Sequence, residues 1–370
     1  MPESKTEKSL IIPVFIPHSG CPHQCAFCNQ AALTGASTRL PDRKAIASIT
    51  DQYLSYARAP KHAELAFFGG NFLGLPSFEI KRLLEDAGGL IETGRIESIR
   101  FSTRPDTISP ETLALIRPYP VSLVEIGAQS MDDQVLHAAL RGHSAEDTIR
   151  AVHLLRQNGV AHGLQMMIGM MGDTPETALK SARDMAALRP STMRIYPLVV
   201  LKKSPMALWY ETGTYIPMSL SESVSLSADI YSIFHQQGIP VIRMGLQASD
   251  LMEDKTQVIA GPWHPAFGHL VYSELMFRLV CKQLDQYVSS RDAVYETVTD
   301  QSKKGLKNLG NTGKAAPEVI ELRVNPASRS RLHGDKNANL TRLSDRYPQV
   351  QWKIVPDKKV HTDSVTVCKG

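Results

Sequence analysis

Residues 121–170 carry the pattern that decides the fold: VSLVEIGAQSMDDQVLHAALRGHSAEDTIRAVHLLRQNGVAHGLQMMIGM. The runs VSLVEIGAQS and HGLQMMIGM have the length and apolar content of buried strands. Between them, MDDQVLHAAL and SAEDTIRAVHLLRQNG have apolar residues at helical spacing and capping residues near their starts. Two strands joined by helices pair in parallel, because the crossover returns the chain to the same edge of the sheet.

The same alternation extends in both directions from this segment. Further strands are predicted at 10–17, 64–70, 98–105, 192–200 and 240–245, with helices at 42–57, 76–91, 109–119, 174–188 and 219–238. Six strand–helix units are too few for a complete eight-stranded barrel. We therefore predict an α/β fold with an open partial (β/α)6 TIM-like barrel, and a doubly wound sheet is the alternative. Both architectures place functional residues at the carboxyl ends of the strands.

The pattern changes after Gly245, which predicts a barrel domain at 1–245 and a small mixed α/β C-terminal extension at 246–370. In the extension we expect a helix at 270–290, a polar loop and a strand within 292–326, a helix at 340–347 and a strand at 350–355.

Charge and composition narrow the cellular setting. The formal net charge is +4, yet residues 300–370 hold 14 Lys and Arg against 7 Asp and Glu. That excess makes the extension a candidate surface for a phosphate-rich partner, although a solvated lysine-rich surface explains it equally well. The chain shows neither a secretory signal nor an apolar run long enough to span a bilayer, so we expect a cytoplasmic protein without membrane contact.

Three of the five cysteines, Cys21, Cys25 and Cys28, lie in the segment CPHQCAFCNQ directly after the first predicted strand. A disulfide framework is disfavoured in a reducing cytoplasm, and five thiols cannot all pair. A structural zinc site would need a fourth ligand such as His18, His23 or a distant residue. Three thiolates also suit a four-iron, four-sulfur cluster with one iron left open for a ligand.

The C-x3-C-x2-C spacing, with Phe27 before the last cysteine, resembles the signature of the radical S-adenosylmethionine (SAM) superfamily. The resemblance implies a [4Fe–4S] cluster on Cys21, Cys25 and Cys28, with SAM chelated at the open iron. It also implies that an electron from an external donor, passed through the cluster, cleaves SAM to methionine and a 5′-deoxyadenosyl radical. That radical abstracts a substrate hydrogen while the protein supplies position and excludes water.

Residues at the later strand ends are assigned to SAM on the same resemblance. Gly69 and Gly70 resemble the part of the family pattern that meets the methionine amine, since glycine lets a backbone approach a ligand closely, and Asn71 follows them. The remaining cofactor-binding candidates are Ser102, Gln129, Arg141 and Gln165. Arg141 is chemically apt for a carboxylate because its planar fork can make two hydrogen bonds at once, although a surface salt bridge is the alternative role.

Longer elements resemble the catalytic subunit of Elongator, which modifies wobble uridines in tRNA using acetyl-CoA. They are RPD at 104–106, RGH at 141–143, IYP at 195–197 and LW-x3-G-x-Y at 208–215, in that order. The resemblance implies a tRNA or other RNA substrate, and Arg323–Asn339 is the stretch of the basic extension that we assign to nucleic acid. No acetyltransferase segment is recognisable after Gly245. Two alternatives stay open: a small-molecule enzyme similar to oxygen-independent coproporphyrinogen oxidase, and a non-catalytic, metal-bearing RNA-binding module.

Overall fold

The structure is a computed structural model that describes residues 9–17, 20–21, 23–29, 39–56, 62–246, 257–301 and 318–370. The chain divides into two compact units, an N-terminal unit (Met1–Pro265) and a C-terminal unit (Ala266–Gly370). The predicted division near residue 245 lies some twenty positions earlier. No helix among the described residues is long and apolar enough to cross a membrane.

The N-terminal unit is built on a parallel sheet whose strand order follows the chain. Among the described residues seven strands pair in the order β1-β2-β3-β4-β5-β6-β8, and all of these pairs are parallel. The strands are β1 (Leu10–Phe15), β2 (Ala63–Phe68), β3 (Ser98–Thr103), β4 (Val121–Gln129), β5 (His162–Ile168), β6 (Thr192–Pro197) and β8 (Val241–Met244). A doubly wound sheet would reverse its order at a switch point, and this sheet does not. The predicted open, partial TIM-like barrel is therefore confirmed.

Most helices of this unit begin directly after a residue whose side chain caps the first turn. They are α1 (Arg43–Tyr56), α2 (Ser77–Glu92), α3 (Pro110–Ile116), α4 (Asp133–Ala138), α5 (Ala145–Gln157), α6 (Pro175–Ala187), α7 (Pro205–Glu211) and α8 (Leu220–Gln236). Ser109, Ser144, Thr174 and Ser219 each form a capping box, in which the cap side chain accepts from the third helical N–H and the third residue's side chain accepts in return. These caps fix where four of the helices begin.

The strands separate apolar from polar side chains by alternation. In β3, Ile99, Phe101 and Thr103 are buried on the helix-covered face, while Ser98, Arg100 and Ser102 are half-buried on the opposite, inner face. Phe72 lies at the centre of the apolar layer, with its ring centroid 5.1 Å from that of Phe67 and 4.4 Å from that of Phe101.

A short two-stranded antiparallel sheet within the N-terminal unit was not predicted. β7 (Val200–Leu201) pairs antiparallel with β9 (Val258–Ala260). Both strands are too short to show a period, and the residues that bring them together are far apart in the chain. Val200 is fully buried, in the cluster that also holds Ala26 of the cysteine segment.

The C-terminal unit has a mixed three-stranded sheet among the described residues. Central β10 (Glu318–Val324) pairs parallel with β11 (Val350–Pro356) and antiparallel with β12 (Val365–Lys369). Its helices are α9 (Phe267–Gln301), α10 (Arg329–His333) and α11 (Ala338–Arg346). α9 extends to residue 301, so the polar loop expected from 292 was wrong at its start. Residues 302–317 lie outside the described residues.

Replacing Phe72 with alanine should destabilise the N-terminal unit by about 3–5 kcal/mol, because it removes a fully buried ring from between two others. Phe78→Ala is the matched control, since Phe78 is 68% exposed on neighbouring α2. The free energies of unfolding from urea titrations should differ between the two variants by most of that amount. Equal values would contradict the assignment of Phe72 to the core.

Candidate functional site

The segment that carries the three cysteines leaves the end of β1 and is held at its centre by backbone hydrogen bonds. The N–H of Ala26 donates to the carbonyl of Ala139 at 3.0 Å, and the carbonyl of Ala26 accepts from the N–H of Met206 at 2.8 Å. The N–H of Cys28 also donates to the carbonyl of Cys25 at 3.0 Å. The C-terminal end of α4 and the start of α7 therefore clamp this cysteine loop, which we define as residues 20–29.

The three thiols are placed at different depths. Cys25 is buried, whereas Cys21 and Cys28 are half-buried. His18, the alternative zinc ligand, lies outside the described residues, and His23 is exposed. Among the described residues no three His, Cys, Asp or Glu side chains converge on a single metal ion. Each cysteine of a four-iron cluster ligates a different iron, so such convergence is not required of these thiols.

Asn71, at the end of β2, joins the cysteine loop to the end of β3. Its Nδ2 donates to the carbonyl of Gly20 at 2.7 Å. Its Oδ1 accepts from Thr103 Oγ1 at 2.7 Å, from the Arg104 N–H at 3.0 Å and from Thr107 Oγ1 at 3.0 Å. Asn71 is 2% exposed, so the whole amide group is engaged inside the protein. The structure thus shows that this SAM-binding candidate links the cysteine loop to the sheet. We call its four hydrogen bonds the Asn71 bracket.

Glycines permit the close approach that this bracket requires. A Cβ on Gly74 would lie 2.1 Å from the Gly20 carbonyl oxygen and 2.2 Å from Asn71 Nδ2. A Cβ on Gly20 would lie 2.2 Å from the Asn71 carbonyl oxygen. Gly69 adopts a φ of 95°, and a Cβ on Gly70 would lie 2.6 Å from the carbonyl oxygen of Pro17. Side chains at these positions would separate the loop from the sheet.

Arg141 contacts the cysteine loop directly. Its Nη1 donates to Cys25 Sγ at 3.1 Å and its Nη2 donates to the Gly127 carbonyl at 2.6 Å. The guanidinium also lies 5.8 Å from the ring centroid of Phe27. Its Nε is buried with no hydrogen-bond partner among the described residues. The salt-bridge alternative is not what the structure shows, because Arg141 is 6% exposed and its contacts are a thiol and a carbonyl.

The two residues after Arg141 also contact the cysteine loop or the end of β4. Gly142 has a φ of 67°, and a Cβ there would lie 2.4 Å from the His23 ring. His143 Nε2 donates to the carbonyl of Ala128 at 3.2 Å, while its Nδ1 is buried and has no partner in the described part of the chain. The whole RGH element therefore connects the end of β4 to the cysteine loop.

Gln129 lies where the ladder between β4 and β5 shifts register. Its φ is 67°, a left-handed conformation uncommon for a residue with a side chain. Its Oε1 is buried, and no described residue donates to it. A strained backbone that presents an unsatisfied acceptor at a strand end is typical of a ligand-contacting position.

Ser102 and Gln165 meet on the inner face of the sheet, within a larger polar network. Gln165 Nε2 donates to Ser102 Oγ at 3.3 Å and to Glu125 Oε2 at 2.9 Å. Glu125 is 1% exposed and also accepts from Arg194 Nη2 at 2.7 Å. Arg100 lies between Glu64 and Glu125. Only Ser102 and Gln165 of this network were predicted as site residues, although strand alternation at 98–102 and 192–196 also places Arg100 and Arg194 on that face.

Arg104 is a buried cation that the residue assignments missed. It is 4% exposed, and its Nε and Nη2 donate to the two carboxylate oxygens of Asp106 at 2.9 and 2.8 Å. Burial raises the pKa of the Cys21 thiol, and negative charge on Cys25 raises it further, whereas the guanidinium groups of Arg104 and Arg141 lower it. The RPD element at 104–106 was the available sequence signal for this residue.

The cysteine loop fits an anionic sulfur-bound cluster on these observations. Three thiols lie in one loop, Arg141 donates a hydrogen bond to one of their sulfurs, and a second guanidinium acts electrostatically on two of them. The unpartnered Gln129 Oε1 and Arg141 Nε are an acceptor and a donor available to a polar ligand beside it.

The pH dependence of stability should carry a contribution from His143. Burial, and then the charges of Arg141 and Arg104, lower the pKa of His143 from 6.5 to about 3. The unfolded chain therefore binds a proton below pH 6.5 that the folded chain excludes, and stability falls as the pH decreases from 6.5 towards 3. When the pH is lowered from 7 to 5, proton uptake by this group in the unfolded chain should decrease the free energy of unfolding by about 2 kcal/mol.

Urea titrations of the apoprotein at the two pH values test this. The loss in the free energy of unfolding should be smaller by about that amount in His143→Gln, which cannot take up the proton. His153→Gln, at an exposed position of α5, is the matched control for loss of an imidazole. Equal pH dependence in wild type and His143→Gln would show that the buried imidazole is not held neutral.

Comparison with known proteins agrees with this geometry. The family model for the radical SAM superfamily matches residues 15–185, and the model for the radical SAM C-terminal domain matches residues 190–276. A tRNA uridine(34) acetyltransferase of Methanocaldococcus infernus is 29% identical over 46% of this chain and 35% of its own length. Human Elongator complex protein 3 is 24% identical over 51% of this chain and 40% of its own length.

A solved structure shares the fold. The archaeal Methanocaldococcus infernus Elp3 with its N-terminus deleted superposes with a TM-score of 0.58 at 22% identity, covering 72% of this chain and 62% of that one. The chain spans less than half the length of these two sequence relatives, so their full activities do not transfer with the similarity. The two family models together cover most of the chain, and the chain belongs to the radical SAM superfamily of enzymes, which use a [4Fe–4S] cluster and S-adenosylmethionine.

Proposed function

We propose that this enzyme cleaves SAM reductively at a cluster held by Cys21, Cys25 and Cys28, and that its substrate is a tRNA. The observation that carries the cluster assignment is the hydrogen bond from Arg141 to Cys25 Sγ within a clamped, glycine-packed loop. When bound, the cluster supplies the electron that splits SAM into methionine and a 5′-deoxyadenosyl radical. An external electron donor must reduce it.

The protein side chains divide into those that contact SAM and those that position the loop. Gly69 and Gly70 offer backbone groups at the end of β2, and Gln129 offers its unpartnered Oε1. Arg141 has a buried Nε left for a carboxylate beside the bond to Cys25. Asn71 acts by positioning, because both its Nδ2 and its Oδ1 already form hydrogen bonds with protein partners.

Ser102 and Gln165 contact SAM from the inner face of the barrel. Their mutual hydrogen bond and the bond from Gln165 to Glu125 fix both side chains against β4. Arg100 and Arg194 compensate the Glu125 carboxylate, so this wall of the site is polar, ordered and close to neutral. A pre-ordered wall binds a cofactor without first losing its own side-chain freedom.

The tRNA assignment is supported by what the relatives act on and by exposed cations of the C-terminal unit. The names of the two sequence relatives are those of a tRNA uridine acetyltransferase and an Elongator protein. Within Arg323–Asn339, Arg329 and Lys336 are exposed and make no ion pair with any described residue. Such side chains are suited to phosphate contacts, whose strength falls steeply with salt.

Anaerobic reconstitution with iron and sulfide, followed by assay of 5′-deoxyadenosine under dithionite, tests the proposal. Wild type should bind about four irons and release 5′-deoxyadenosine, and bulk tRNA should increase that release. Alanine at any one of Cys21, Cys25 and Cys28 should abolish it. Cys368→Ala, a half-buried cysteine outside the loop, is the matched control and should behave as wild type.

Three outcomes would separate the parts of the proposal. Colourless wild-type protein would overturn the cluster assignment. A cluster with SAM cleavage that tRNA does not affect, and no salt-dependent gel shift with tRNA at low salt, would remove the RNA assignment and favour a small-molecule substrate. Iron binding without any 5′-deoxyadenosine would favour a non-catalytic metal-bearing module.

Gly74→Ala should reduce the iron content of the reconstituted protein by at least half. The added Cβ must displace the Gly20 carbonyl or the Asn71 amide, and either movement shifts the first residues of the cysteine loop. Gly88→Ala is the control, because a Cβ there makes only ordinary contacts of 3.6 Å with Tyr119 and should stabilise α2 by up to about 1 kcal/mol. Full iron content in Gly74→Ala would contradict the role given to the bracket.

A further inference from the structure

Arg104 is a charged side chain that is fixed at the carboxyl end of β3 and almost completely buried. Its backbone N–H donates to Asn71 Oδ1 at 3.0 Å, so the same amide that holds Gly20 also fixes this residue. Its side chain makes a two-point ion pair with Asp106. Asp106 is 21% exposed and Arg104 only 4%, so the carboxylate lies on the solvent side of the pair.

One nitrogen of the Arg104 guanidinium does not bond to Asp106. Nη1 is buried and has no hydrogen-bond partner among the described residues. An unsatisfied donor on a buried cation costs free energy, and a native protein retains such a group where a ligand or a function compensates for it. Asp106 already satisfies the other side of the fork, so stability of the pair alone does not account for Nη1.

Arg104 is connected to the cysteine loop through Asn71. The N–H of Arg104 donates to Asn71 Oδ1, and Asn71 Nδ2 donates to the carbonyl of Gly20, the residue before Cys21. The guanidinium of the pair is buried and the Asp106 carboxylate lies towards solvent, so the pair presents net positive charge to the interior beside the loop. The hydrogen bond from Arg141 to Cys25 Sγ adds a second guanidinium at the same loop.

We propose that Arg104 and Asp106 form an electrostatic pair that sets the reduction potential of the cluster, with Arg104 favouring and Asp106 opposing the reduced state. The inference rests on the proposed ligation by Cys21, Cys25 and Cys28. Both residues are positioning residues that act through the cluster and do not contact the reacting atoms. The role differs from SAM binding, to which the other arginine of the site is assigned.

The physical reason is the sign of the charge that reduction adds. In the titration one electron passes from dithionite to the cluster, and no bond forms or breaks. A cluster with three thiolates gains negative charge in that step, so a nearby cation stabilises the product and a nearby anion destabilises it. Outer-shell charges and burial are established means by which proteins tune such potentials.

Redox titration of the reconstituted full chain, followed by electron paramagnetic resonance of the reduced cluster without SAM, measures this directly. Arg104→Gln should make reduction about tenfold less favourable, a fall of about 59 mV for one electron. Asp106→Asn should shift the potential upward, and Arg104→Gln with Asp106→Asn should fall between wild type and the single Arg104 variant. Cys368→Ala controls for handling of the cluster.

The opposite directions of the shifts in reduction potential expected for Arg104→Gln and Asp106→Asn distinguish this role from a structural one. A purely structural pair would lose cluster content in both single variants without an ordered shift in potential. Wild-type potentials in cluster-loaded Asp106→Asn and in the double variant would overturn the proposal, even if Arg104→Gln alone fails to retain iron. Failure of wild type to form a cluster would instead overturn the proposed function, so the two failures are distinguishable.

Discussion

The buried amide of Asn71 is the contact on which the geometry of the site depends. It joins the cysteine loop through Gly20 to the end of β3 through Thr103 and Arg104, so the ends of three neighbouring strands form one hydrogen-bonded unit. Loss of Asn71 Nδ2 would leave the Gly20 carbonyl without its donor, and loss of Oδ1 would leave the donors of Thr103 and Arg104 without their acceptor. Each unsatisfied buried group costs about 1–3 kcal/mol of stability. Such a cost makes the relative position of loop and sheet a property of the fold and not of a bound ligand. The glycines at 20 and 74 are the steric condition for it.

Charge is distributed differently on the inner wall and at the cysteine loop. On the wall, the carboxylates Glu64 and Glu125 alternate with Arg100 and Arg194, and each cation has an anion beside it. At the loop, no described carboxylate pairs with Arg141, and the one paired with Arg104 lies towards solvent. Buried charge is costly unless it is compensated. The compensated wall suits a bound cofactor, and the uncompensated loop suits an anionic group such as a cluster on thiolates.

The architecture of the N-terminal unit and the location of its site could be predicted from sequence because both depend on local patterns. Alternation of strands and helices fixed the parallel sheet, and the cysteine spacing fixed the loop. The role of Asn71 could not be predicted, because its partners at 20, 103 and 107 are distant in the chain and a side-chain amide gives no periodic signal. Arg104 was missed for a different reason: the RPD element is visible in the sequence, but the burial of its arginine follows from packing. The pairing of β7 with β9 was missed because two- and three-residue strands have no period.

The basic C-terminal unit shows why a charge count overstates an electrostatic surface. Among the described residues from 318 to 370, five cations are paired: Arg323 and Lys353 with Glu321, Arg331 with Asp363, Arg342 with Glu274 and Arg346 with Asp285. Two of these acids, Glu274 and Asp285, lie on α9, outside the segment whose composition first suggested a phosphate-rich partner. The cations left for phosphate are then fewer than the sequence implies. Binding to RNA through this unit would release correspondingly few counterions, so its affinity should vary with salt less steeply than fourteen basic residues suggest.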